Sequence, residues 1–71
     1  MTSTEFSILK VFIEYKNIVV SRDHLVDLIP SIKSHRLLDN HIKNIRNKIE
    51  HNSKTPQYLT TIYAQGYKLV F

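Results

Sequence analysis

The chain has 71 residues, room for one small domain whose single core is marginal without a staple. It has no Cys, which excludes disulfides and thiolate zinc sites, and an apolar fraction of 42%, which argues against a disordered tail. The net charge of +4 is unevenly placed: residues 1–32 hold three Lys or Arg against four Asp or Glu, and residues 33–71 hold seven against two. The second half is therefore the one suited to an anionic partner.

No apolar run approaches the roughly 20 residues that span a bilayer. The opening MTSTEFSILK lacks the basic start and apolar stretch of a signal peptide, so the expected setting is the cytoplasm. Thr2 and Glu5 have the spacing of a capping box, which predicts a first helix from Ser3 to about Lys16. Phe6, Leu9 and Ile13 share one of its faces. Ile8, Val11, Phe12 and Tyr15 widen the apolar arc past half the circumference, so this helix needs cover on more than one side. Asn17 tolerates a left-handed backbone and ends it. Ile18 to Val20 is a β-branched run that predicts a brief strand.

Ser21 then caps a second helix, with Asp23 in the first turn where the helix dipole favours an anion. Leu25, Val26, Leu28 and Ile29 give it a side to bury, and Pro30 stops it. A polar connection, 31–35, leads to the third helix, opened by Ser34 or His35 and fraying near His51 and Asn52. In its body, RLLDNHIKNIRNKI, Leu38, Ile42, Ile45 and Ile49 fall on one face at about 100° per residue. Arg36, Asn40, Lys43, Asn44 and Asn47 gather on the opposite face. NSKTPQ is turn chemistry. YLTTIY and YKLVF flank Ala64, Gln65 and Gly66, which predicts a β-hairpin whose turn uses the chain's only Gly at positive φ. Tyr58 and Tyr67 are expected to be structural rings. The order helix, short strand, helix, helix, hairpin is α+β: a three-helix winged helix-turn-helix with a C-terminal hairpin wing.

Lys and Arg suit phosphates and guanine, and Asn can pair with adenine. Asn40, Lys43, Asn44 and Asn47 are accordingly read as base contacts. Arg36, Arg46 and Lys48 are read as phosphate contacts, although Arg46 also stands on nearly the same side as Asp39 and can pair with it. The alternative for all of these is a solvated basic face.

Four blocks of sequence carry a resemblance to the OmpR/PhoB-type output domain of bacterial two-component response regulators. They are TSTEFSIL, IVVSRDHL, RLLDNHIKNIRNKI and PQYLTTIYAQGYKL, in the family's order and at its separations over almost the whole chain. The resemblance implies a transcription regulator that binds duplex DNA sequence-specifically, as tandem head-to-tail pairs on direct repeats. The third helix, over 36–50, enters a major groove and the wing points towards a minor groove. It implies DNA contacts from Arg36, Asn40, His41, Lys43, Asn44 and Arg46, with Thr61 and Tyr63 contributing from the wing. His41 and Thr61 are taken as phosphate contacts. RNA polymerase is an implied partner of the loop at 30–35. It further implies that residues 1–71 are the C-terminal part of a longer regulator whose phosphorylatable receiver and N-terminal sheet are absent here.

The chain departs from the family pattern at four places. Tyr63 stands where an Arg is usual, Ala64 follows it where a Gly is usual, Asn44 replaces a residue often basic, and Pro30 lies near a usual Trp. Tyr63 in place of that Arg can pack on sugar or bond a phosphate, with less electrostatic gain. No cofactor is implied. His24, His35, His41 and His51 lack the spacing of helical zinc ligands and have no Cys beside them. Ser21, His24 and Asp27 share a helix side, but a capping Ser and surface charges account for them without catalysis, so no enzyme is expected. Two other readings stand beside DNA recognition. One is a winged helix that binds protein, and the other a non-specific or single-stranded nucleic-acid binder that uses the hairpin aromatics.

Overall fold

The computed structural model describes residues 2–52 and 54–71. Three helices are followed by a hairpin: α1 Ser3–Glu14, α2 Arg22–Leu28, α3 His35–Ile49, β1 Leu59–Ile62 and β2 Gly66–Leu69. This is the expected winged helix-turn-helix.

Each helix begins on a side-chain cap. Thr2 Oγ1 accepts the Glu5 N–H, Ser21 Oγ the His24 N–H and Ser34 Oγ the Leu37 N–H, at 3.1–3.2 Å. Helix α1 stops two residues earlier than expected. The reversal comes at Asn17, which takes φ 63°, and its N–H is claimed by Leu69 O at 2.8 Å. Only Val20 of the expected 18–20 strand joins the hairpin, as an isolated antiparallel bridge to Tyr67. The strands pair Leu59 with Leu69, Thr60 with Lys68, Thr61 with Tyr67 and Ile62 with Gly66.

The core joins Ile8 and Phe12 of α1, Leu25 of α2, Leu38, Ile42 and Ile45 of α3, and Leu59 and Leu69 of the hairpin. The predicted stripe of α3 is thus its buried face, with Ile49 partly covered. Other expected packing differs. Leu28 is 44% exposed because α2 is short and turns only Leu25 fully inward, with Ile29 buried just past its end. Tyr58 is also 44% exposed, one residue ahead of the inward-facing Leu59. On α1 the wide apolar arc is half covered: Ile8 and Phe12 are buried, while Phe6 and Ile13 stand 65% and 53% exposed. Ser53, inside the expected turn, lies outside the described residues, as does Met1.

A candidate nucleic-acid interface

Helix α3 divides into an outward strip, a buried stripe and two flanks between them, and the division follows from helical geometry. At about 100° per residue, Arg36, Asn40, Lys43, Asn44 and Asn47 occupy an arc of roughly 100°. All five are exposed. The stripe of Leu38, Ile42 and Ile45 lies opposite and is sealed in the core. Among the described residues, the hydrogen bonds made by side chains along this helix leave from its flanks and its start. The outward strip is thereby presented whole, with donors for phosphates and both donors and acceptors for base edges.

One flank holds the wing. Asp39 Oδ1 accepts the Tyr67 hydroxyl at 2.6 Å, and its Oδ2 accepts Arg22 at 2.6 Å. Seven residues on, Arg46 Nε donates to Leu59 O at 2.9 Å and its terminal nitrogen donates to Thr61 Oγ1 at 2.6 Å. The expected pairing of Arg46 with Asp39 is therefore corrected. Each has a better partner on a neighbouring element, and the two meet only through the Tyr67 ring, whose centroid lies 5.5 Å from the Arg46 guanidinium. Burial, and then the hydrogen bond to Asp39, push the Tyr67 phenol up to about 12.

The end of α3 holds the wing too. Glu50 is buried, and its carboxylate accepts the N–H groups of Gln57, Tyr58 and Leu59 at 2.8–3.2 Å. Burial alone raises this carboxyl, but the N–H groups of Leu59, Gln57 and Tyr58 outweigh it and hold Glu50 below the usual range. The other flank faces α1. Lys48 Nζ donates to the buried Glu5 carboxylate at 2.7 Å, and that bond holds Glu5 below its ordinary value. Lys48 is therefore turned away from the exposed strip. His41, on the same flank, is half-buried, and its Nδ1 is closed off without a partner among the described residues.

The wing completes the interface. Its turn raises Tyr63 to 93% exposure, while Thr61 below it is exposed and holds Arg46. An open cleft of about 440 Å³ separates the turn from the starts of α2 and α3. Asp23 and Asp39 line it, answered by His35 and Arg22. Ser21 serves as a cap, and no group of three or more His, Asp or Glu is placed to hold a metal among the described residues. Among the described residues, no helix is long and apolar enough to cross a membrane.

The sequence located the exposed strip but missed what braces it. Asp39 was visible only as a partner for Arg46, and Glu50 carried no signal, since one carboxylate accepting a run of N–H groups has no spacing of its own. Tyr67 gave half a clue, because a buried Tyr needs a partner for its hydroxyl.

Comparison with known proteins gives a consistent picture. The family model described as "Transcriptional regulatory protein, C terminal" matches residues 1–69. The alkaline phosphatase synthesis transcriptional regulatory protein PhoP of Bacillus subtilis is 38% identical over 97% of this chain, which covers 30% of PhoP. The response regulator DrrB of Thermotoga maritima, described as an OmpR/PhoB homolog, superposes over 100% of this chain and 33% of its own, with a TM-score of 0.93 and 33% identity. The DNA-binding domain of Klebsiella pneumoniae RstA, solved in complex with its RstA box, shares the fold at a TM-score of 0.87 and 20% identity, over 99% of this chain and 72% of that one. The chain spans about a third of the length of the curated relatives it matches.

Proposed function

Since this chain belongs to the family of C-terminal domains of transcriptional regulatory proteins, we propose that it reads duplex DNA with the exposed strip of α3. The observation that carries the assignment is that strip itself: Arg36, Asn40, Lys43, Asn44 and Asn47 exposed together on a helix whose opposite face is in the core. A B-form major groove admits one α-helix, and its base edges offer acceptors to Lys and paired sites to Asn. Asn40, Lys43, Asn44 and Asn47 take the base-reading roles. Arg36, His41 and Thr61 take phosphates, joined by Arg46 through the part of its guanidinium that the wing leaves free. Tyr63 meets the sugar–phosphate edge. Lys48 passes from the phosphate contacts to holding Glu5.

In the whole protein the domain works behind a receiver, pairs head to tail on direct repeats and meets RNA polymerase through 30–35, where Pro30, Ser31, Lys33 and Ser34 are exposed. The setting is the cytoplasm, and the domain has no catalytic role.

The test is selection of bound duplexes from a random pool, followed by a salt titration on the winner. A short motif repeated about one helical turn apart is the expected result. Binding that only fades with salt, without enrichment, overturns sequence reading and leaves a non-specific binder. Asn44→Ala should change the selected motif, because a paired base contact is worth about 1–3 kcal/mol of discrimination. An equal loss on every sequence removes Asn44 from base reading. Lys43→Glu should abolish DNA binding. A variant that keeps DNA binding removes Lys43 from the interface.

A further inference from the structure

One connected run of side chains crosses the molecule from α2 through α3 to both strands of the wing. Arg22 donates to Asp39, Tyr67 donates to Asp39, Arg46 lies over the Tyr67 ring, and Arg46 donates to Leu59 O and Thr61. Asp39 is the member of this run that holds α2 and the wing at the same time, one carboxylate oxygen to each.

The backbone explains why that matters. The wing is bonded through main chain to the segment before α2, since Val20 N donates to Tyr67 O at 2.8 Å and Tyr67 N to Val20 O at 3.0 Å. Wing and α2 entry are therefore one unit. Helix α3 makes no such ladder with it. Its C-terminal half is tied down by Arg46 and Glu50, whereas its first half meets that unit through Asp39 and through the exposed His35–Asp23 pair. Core packing at Leu38 and Ile42 holds the helix down but has little direction of its own. Asn40 lies six residues before Arg46, about 9 Å along the axis. A 10° swing about the Arg46 hold moves it by between about 1 and 2 Å, enough to lose a hydrogen bond.

We infer that Asp39 is a positioning residue for DNA recognition: it fixes the angle between the reading helix and the wing, so that the Asn40 strip and Tyr63 engage one duplex together. The Arg22 and Asp39 side chains are 40% and 43% exposed, and a pair that open adds little to stability. Its two-sided geometry is what it contributes. The inference rests on the DNA-reading assignment above.

The test compares Asp39→Asn and Tyr67→Phe with the unaltered protein on the selected operator and on random duplex. By charge alone, removing a carboxylate from a DNA-facing surface tightens binding to every duplex. The positioning role requires the opposite for the operator. Its Kd should rise by about tenfold in both variants, random-duplex binding should hold or tighten, and the melting temperature should stay within about 5 °C. Tyr63→Ala should then cost less in the Asp39→Asn background than alone, the non-additivity expected of coupled contacts. Equal losses on operator and random duplex, unchanged operator binding, additive losses, or unfolding of both variants each overturn the inference. If the unaltered protein selects no motif, the DNA-reading assignment fails first, before any variant is made, and this inference falls with it.

Discussion

Gly66 and Ala64 stand two residues apart in the wing's turn, and positive φ has opposite consequences at the two. At Gly66, φ is 150°, and a Cβ placed there meets Val20 O at 2.2 Å and Ser21 Cα at 2.9 Å. Both obstacles are backbone, so neither yields without breaking the bridge that seats the wing. Gly66→Ala should cost more than about 2 kcal/mol in chemical denaturation, through backbone strain and the lost Val20–Tyr67 bridge. Ala64 takes φ 62° with open surroundings, a conformation that disfavours any Cβ. Ala64→Gly should therefore stabilise the domain by about 0.5 kcal/mol, since relief of strain exceeds the added freedom of the unfolded chain. A lowered midpoint in that variant would mean that the turn is not strained at Ala64.

At the scale of elements, α3 is the part on which the others converge, and Glu50 is its terminal clamp. A carboxylate whose folded pKa is depressed contributes stability that is full above its unfolded value and is lost as pH falls through the folded one. Glu50 and Glu5 both lie below the ordinary 4.5. Glu50→Gln should thus be less stable than the parent at neutral pH, by roughly 1.5–3 kcal/mol for hydrogen bonds to a charged acceptor. The gap should narrow as pH falls below 4.5. Denaturation midpoints measured between pH 7 and pH 3 check both statements, and a gap independent of pH would contradict the clamp. The sequence made the helices legible because their caps, apolar stripes and stops are local signals: Thr2, Ser21, Ser34, Asn17 and Pro30 each act within a few residues. It made the exposed strip of α3 legible for the same reason. The strand at 18–20 shrank to one bridge because its pairing is set by Tyr67 of the hairpin, more than 40 residues away. Tyr58 came out exposed because the strand's alternation turns its neighbour Leu59 inward. Lys48 and Arg46 could be placed on a helix face from sequence but not given partners, since Glu5 and the wing reach them only through the tertiary fold.

Across the whole molecule, the lopsided charge of the sequence becomes a division of labour among the cations of α3. Lys43 points outward from the middle of the exposed strip. Lys48, five residues later, lies on the flank that meets α1 and neutralises a carboxylate that is only 3% exposed. The two should respond differently to the same substitution. Lys43→Ala removes a charge that faces the duplex, so the slope of log K against log salt should become shallower by about 0.9, with little change in melting. Lys48→Ala leaves Glu5 buried without its ion partner, so it should unfold at lower temperature and keep the slope nearly intact. Glu5→Gln in the Lys48→Ala background should recover part of the lost stability, because the stranded charge is then gone. Binding measured between about 50 and 200 mM salt, beside thermal melts of the same preparations, separates the two residues. A slope change in Lys48→Ala as large as that in Lys43→Ala would return Lys48 to the DNA-facing set and make its contact with Glu5 dispensable.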